Sequence, residues 1–88
     1  MKTKITFVST GWRDYMFWQN TDRAIVKRIN NLIDAIIRDP FTGIGKPEPL
    51  RHHLSGAWSR RITDEHRLVY LVEDANLIII SCRYHYER

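Results

Sequence analysis

Seven apolar residues, Ile25, Val26, Ile29, Leu32, Ile33, Ile36 and Ile37, recur at three- and four-residue spacing between Thr21-Asp22 and Pro40. No other stretch restricts the fold as much. The spacing predicts a helix with one apolar stripe, and such a stripe must be buried against another layer. Thr21 or Asp22 starts it, and Asp22 in the first turn suits the helix dipole. Pro40 disfavours helical geometry at Asp39 and ends it there. Arg23, Lys27, Arg28, Asn30, Asn31 and Asp34 take the opposite, solvated face.

The layer that covers the stripe is written in the last third. Residues 66–73 are β-branched, aromatic and apolar residues mixed with polar ones, and read as a strand. Residues 73–76 form a hairpin turn, and residues 77–86 read as the final strand. Its run Leu77-Ile78-Ile79-Ile80 is apolar without alternation, as expected of a central strand covered on both faces. Residues 54–62 hold either a strand on each side of Gly56 or one bent strand. Thr3 to Val8 reads as a first strand. Ser9 or Thr10 is then placed to cap a short helix, on which Trp12, Tyr15, Met16 and Gln19 share a face that reads as core. The order β-α-α-β-β-β, with room for one extra short strand, predicts an α+β domain. Two N-terminal helices pack on one face of a twisted antiparallel sheet, and the other face is left available for binding.

Eighty-eight residues make a single domain, 1–88, with 43% apolar and 27% charged residues, which excludes a disordered chain. No apolar run approaches the roughly 20 residues of a membrane span. After the basic start only Ile5 to Val8 is apolar, too short for a signal peptide's core. The chain therefore reads as cytoplasmic, without a membrane partner. Cys82 is the one cysteine, which excludes an internal disulfide, and it reads as a buried small hydrophobe. The net charge is +4, with ten arginines to four lysines. Lys46, Arg51, Arg60 and Arg61 lie between positions 46 and 61 with Glu48 the one acid among them. Arginine favours planar, bidentate phosphate contacts, so this basic segment points to a polyanion.

Strand alternation puts Arg67 on one face with Val69 and Leu71, and puts Arg83 with His85 opposite Tyr84 and Tyr86. Grouping Arg61, Arg67, Arg83 and His85 on one surface makes a site that repels itself unless an anion occupies it. Glu48 lies between Pro47 and Pro49, whose fixed φ angles stiffen the loop and hold a carboxylate at low entropic cost. It is a candidate general base, and His85, with an ordinary pKa near neutrality, is a candidate general acid. Nearby arginines would lower the pKa of both, and a bound phosphate would offset part of that. Gly43-Ile44-Gly45-Lys46 lacks the spacing of a phosphate-binding P-loop. His52, His53, His66 and His85 with Glu48 do not have the spacing of a zinc site, and the surrounding arginines disfavour a cation, so neither metal nor cofactor is expected.

Several segments together resemble one family. They are the run 45–52 (GKPEPLRH), Leu54-Ser55-Gly56, Trp58-Ser59-Arg60-Arg61-Ile62, Glu65-His66-Arg67-Leu68-Val69-Tyr70 and Cys82-Arg83-Tyr84-His85-Tyr86. With Trp12, Tyr15, Trp18-Gln19, Thr21-Asp22 and the Ile25 helix, they resemble YoeB toxins of the RelE/ParE toxin superfamily over nearly the whole chain. The resemblance implies the RelE-like fold. It also implies a ribosome-dependent endoribonuclease acting on messenger RNA, a YefM-type antitoxin as partner, and a homodimer. Glu48 then corresponds to the general base, His85 to the general acid and Arg67 to the group stabilising the transition state. Lys46, Arg51 and Arg61 correspond to phosphate or RNA contacts, with His52 and Arg83 beside them in the substrate-binding set, and Tyr86 to a residue positioning the substrate. The wider superfamily also admits a toxin of the same fold that inhibits a protein target such as a topoisomerase without cutting RNA. The joint presence of Glu48, Arg67 and His85 favours the nuclease.

Overall fold

The computed structural model describes residues 2–85. Strand β1 (Lys4–Phe7) leads into helix α1 (Ser9–Gln19) and then helix α2 (Arg23–Arg38). Four strands follow: β2 (Glu48–Pro49), β3 (Trp58–Arg61), β4 (Arg67–Glu73) and β5 (Asn76–Ser81), with a single 3-10 turn at His52–Leu54 between β2 and β3. The sheet order is β1-β5-β4-β3-β2. The two-residue β2 is the extra short strand.

Helix α2 forms as its sequence dictates. The Asp22 carboxylate accepts from the Ala24 and Ile25 amides at the N-terminus, a cap of the kind worth about 1 kcal/mol. At the other end Asp39 is extended, as the following proline requires. Val26, Ile29, Leu32, Ile33 and Ile36 are buried against Leu68, Tyr70, Leu77 and Ile79 of β4 and β5. Ile37 stays exposed at the edge of the stripe.

Helix α1 departs from expectation in two ways. No side chain caps it. Val8 precedes it and still donates to the Ile79 carbonyl, so the chain passes from strand to helix without a capping turn. The Thr10 hydroxyl, expected as a cap, instead donates to the Ile80 carbonyl and ties α1 to β5. The buried aromatic is Trp18, while Trp12 is 51% exposed. Trp12 stacks on Tyr15 and meets Phe7 edge-on, and Met16 is exposed as well. The helix lies so close to β5 that a Cβ on Gly11 would come 2.4 Å from the Ile79 carbonyl oxygen.

Strands β2 to β5 are antiparallel neighbours, but β1 runs parallel to β5, pairing Ile5 with Leu77 and Phe7 with Ile79. The whole domain lies between β1 and β5 in sequence, so no hairpin turn forces them antiparallel. Strand β5 stops at Ser81, short of the expected 77–86 strand. Beyond it the Cys82 amide donates to Asp14 Oδ2 (3.0 Å), the Cys82 carbonyl accepts from Trp18 Nε1 (2.8 Å), and Tyr84 adopts φ +60°. Two residues of α1 thus pull the chain out of the sheet.

Both faces of the sheet are packed, unequally. The face under the helices holds the main core. The other carries a small cluster, Leu50, Ala57 and Val69 with Leu54, Leu71 and Ile80 around it, and is otherwise open.

Candidate active site on the open face

The cross-strand register places the candidate residues. Glu48 pairs with Ser59, Ser59 with Val69, and Val69 with Ser81, so these four form a row across the open face. Residues directly opposite share a face, as do residues two apart on one strand. Arg61 therefore lies on the same face as Glu48, and Arg67, paired with Arg61, lies beside it. Strand spacing of ~4.8 Å and rise of ~3.3 Å per residue put the Glu48 and Arg67 Cα atoms about 12 Å apart, within joint reach of the two side chains.

Glu48 is delivered by the loop after α2, and a buried arginine builds that loop. Arg60 is fully buried beneath the helices, not exposed with Lys46, Arg51 and Arg61 of the same basic segment. Its Nε donates to Tyr70 Oη (3.1 Å), Nη1 to the Ile44 carbonyl (3.0 Å), and Nη2 to the Asp39 (2.7 Å) and Thr42 (2.9 Å) carbonyls. The Tyr70 hydroxyl in turn donates to the Pro40 carbonyl (2.8 Å). Burial pushes the Tyr70 phenol pKa up, so it remains a donor. These carbonyls follow the C-terminus of α2, where a cation is favoured. Gly45, at φ +85°, presses against Leu32, and its carbonyl accepts from the Arg61 amide (2.7 Å). Lys46 and Glu48 emerge exposed just beyond.

Arg67 is only 9% exposed. Its Nη1 donates to the carbonyls of Thr63 (2.8 Å), Asp64 (3.1 Å) and His66 (3.1 Å), which fixes the guanidinium plane. Among the described residues neither Arg61 nor Arg67 is paired with a carboxylate. Two guanidiniums side by side without a counter-ion make this face attractive to an anion.

His85 reaches the same place from the segment that follows β5. Its Nε2 lies 3.3 Å from the Asp64 carbonyl oxygen, which also accepts from Arg67. Imidazole and guanidinium therefore converge on one atom. A carbonyl can only accept, so this contact favours a proton on Nε2.

A cleft of about 410 Å³ includes His85 but not Glu48, Arg61 or Arg67 in its lining; Leu54, Val69 and Ile80 are its apolar lining and His53, Ser81, Arg83, Tyr84 and His85 its polar lining. In the sequence His53 enters only as a candidate metal ligand and stays outside the substrate-binding set, yet it lines the cleft. Only the 3-10 turn, entered through His52 at φ +60°, decides which of the adjacent histidines faces the cleft. His52 and Arg51 are exposed beside it. Arg83 does not share a strand face with His85, because β5 has already ended. Its guanidinium stacks on Phe17 (3.6 Å to the ring centroid) and Tyr84 (4.7 Å), at the margin of the cleft. Tyr86 lies outside the described residues.

The Cys82 thiol is buried, and burial, then the Asp14 charge, push its pKa up to about 12, so it supplies no nucleophile. Among the described residues no group of three or more His, Cys, Asp or Glu side chains is placed to hold a metal ion. None of their helices is long and apolar enough to cross a membrane.

The fold and the sequence have close counterparts. Toxin YoeB of Synechocystis sp. is 61% identical over 85 residues, 97% of this chain and 99% of that protein. The YoeB/ParE toxin from Agrobacterium tumefaciens superposes with a TM-score of 0.93 at 50% identity, covering 96% of this chain and all of that one. YoeB from Staphylococcus aureus, solved as a dimer and in complex with YefM, gives TM-scores of 0.91 and 0.89 at 47% and 46% identity, each over 98% of this chain and 100% of that one. The family model described as YoeB-like toxin of bacterial type II toxin–antitoxin system matches residues 7–86. With its two helices on a five-stranded mixed sheet of RelE-like form, the chain belongs to the YoeB-like toxins of bacterial type II toxin–antitoxin systems.

Proposed function

We propose that this toxin is a ribosome-dependent endoribonuclease that cuts messenger RNA and so stops translation. The observation that carries the reading is the placement of Glu48, Arg61 and Arg67 on one open face, with His85 and Arg67 meeting at the Asp64 carbonyl. Glu48 removes the proton of a ribose 2′-hydroxyl. The O2′–phosphorus bond forms as the bond from phosphorus to O5′ breaks. His85 donates a proton to the departing O5′. Arg67, with Arg61 and Arg51, stabilises the charge that grows on the phosphoryl oxygens. The guanidiniums do the electrostatic work that a metal ion does in other nucleases. The products are a 2′,3′-cyclic phosphate, or the 3′-phosphate from its hydrolysis, and a 5′-hydroxyl.

An in-line displacement requires Glu48 and His85 to act on opposite sides of the phosphate. General base and general acid each contribute on the order of 10²–10⁴-fold. The ribosome aligns the message in the cleft and supplies the orientation that a small, open site lacks. Lys46, His52, Arg83 and Tyr86 complete the RNA contacts.

The partners proposed are a YefM-type antitoxin and a second copy of the chain, in line with the S. aureus YoeB–YefM complex and YoeB dimer. An antitoxin segment that orders on the basic face would block the RNA path.

A translation reaction programmed with a defined message tests the reading by mapping new RNA ends. Cuts confined to translated message, bearing 5′-hydroxyl ends and lost in both Glu48→Ala and His85→Ala, are expected. Growth arrest without any cut would instead indicate a toxin that acts on a protein target.

A further inference from the structure

The imidazole of His66, the residue just before β4, is buried yet plays no part in the proposed reaction. Its Nδ1 accepts from the Tyr84 amide at 2.7 Å. An accepting Nδ1 carries no proton, so the ring is neutral with its proton on Nε2, which faces the Glu65 carboxylate at 3.7 Å. The ring stands edge-on to Trp18 (centroids 4.8 Å apart) and tilted against Tyr84 (5.5 Å).

The residue it holds is an unusual one. Tyr84 has φ +60°, a left-handed conformation that a bulky side chain adopts only where its surroundings impose it. Trp18 Nε1 fixes the Cys82 carbonyl before it, and the Arg67 amide donates to the Tyr84 carbonyl after it (3.0 Å). His66 supplies the third tie, on the Tyr84 amide itself. The next residue is His85.

We propose that His66 is a positioning residue. Its unprotonated Nδ1 locks the Tyr84 amide, and through that turn it sets where the His85 imidazole stands relative to Arg67 and the Asp64 carbonyl. This rests on the reading of His85 as the general acid. What the position requires is an acceptor, not a ring. Phenylalanine would keep the edge contact with Trp18 and remove the acceptor of the Tyr84 N–H. Asparagine would lose most of the ring but place Oδ1 where Nδ1 stands.

The test compares wild type, His66→Phe and His66→Asn in the translation–cleavage reaction, with NMR of the imidazole nitrogens and of the His85 ring. Folded His66→Phe is expected to cleave at least about tenfold more slowly, and His66→Asn to recover to within about threefold of wild type. The His85 ring signals should shift in the Phe variant and return in the Asn variant. Equal cleavage by wild type and a folded Phe variant would overturn the proposal, as would an Asn variant as slow as the Phe variant. Should His66→Phe not fold, the Asn variant and the wild-type nitrogen shifts decide: a protonated Nδ1 in the active protein overturns it. A wild type that makes no cuts refutes the nuclease reading alone, and the His85 signals still decide the positioning role.

Discussion

Arg60 and Arg61 are neighbours on β3 and carry the same guanidinium, but they point to opposite faces of the sheet. Arg60 lies beneath the helices with its donors on three carbonyls and a tyrosine hydroxyl. Arg61 lies exposed on the open face, opposite Arg67. The acceptors around Arg60 are fixed parts of the fold, so its charge closes a loop. Arg61 is exposed and has no carboxylate partner among the described residues, so its charge remains available to a ligand. Surroundings, not residue type, separate a structural arginine from a functional one.

The two faces should therefore fail differently. The largest effect is expected from Glu48→Gln, which keeps the shape and removes the base. Cleavage should fall on the order of 10²–10⁴-fold, with the unfolding free energy unchanged within about 0.5 kcal/mol because the side chain is exposed. Single-turnover cleavage and denaturant melts read both. A loss of stability matching the loss of activity would merge the two faces into one.

Arg60→Met should act through the fold, lowering stability first and cleavage only as the loop that carries Glu48 loosens. It strands the acceptors of the 39–44 loop and should cost about 3–5 kcal/mol in denaturant unfolding. Arg60→Lys should rescue little, since an ammonium cannot span acceptors arranged for a planar fork. Gly11→Ala is next. Its methyl group meets the β5 backbone rather than a side chain that could move, and about 1–3 kcal/mol is expected from thermal or chemical melts. The smallest effect belongs to Arg61→Gln. Stability should hold within about 0.5 kcal/mol, while the salt dependence of single-stranded RNA binding should lose about 0.7 from its logarithmic slope, one phosphate contact's worth.

Much of this division was legible in the sequence. The α2 stripe, its Asp22 cap and its Pro40 stop are local signals, and all three are present in the fold. Alternation sets Arg60 against Arg61 within β3, but the pairing of Arg61 with Arg67 depends on the cross-strand register. It could not reveal that Arg60 is buried, because its acceptors come from a loop 16 to 21 residues earlier in the chain. The end of β5 was hidden for the same reason. Residues 82–86 have strand composition, but Asp14 and Trp18 on α1 claim the Cys82 backbone. Trp12 and Trp18 lie within one short helix, and only the packing of Gly11 against β5 decides which of them turns inward. The pairing of His66 with Tyr84 required a backbone conformation that no local pattern encodes.

The central claim is that this open face cuts RNA by attack of the neighbouring 2′-hydroxyl. It is tested most directly by mapping a cut on translated message, then repeating the reaction with a single 2′-deoxy nucleotide on the 5′ side of that bond. Loss of that cut alone, with other cuts retained and ending in 5′-hydroxyls, is the predicted result. An undiminished cut at the deoxy position would contradict the mechanism and the role given to Glu48.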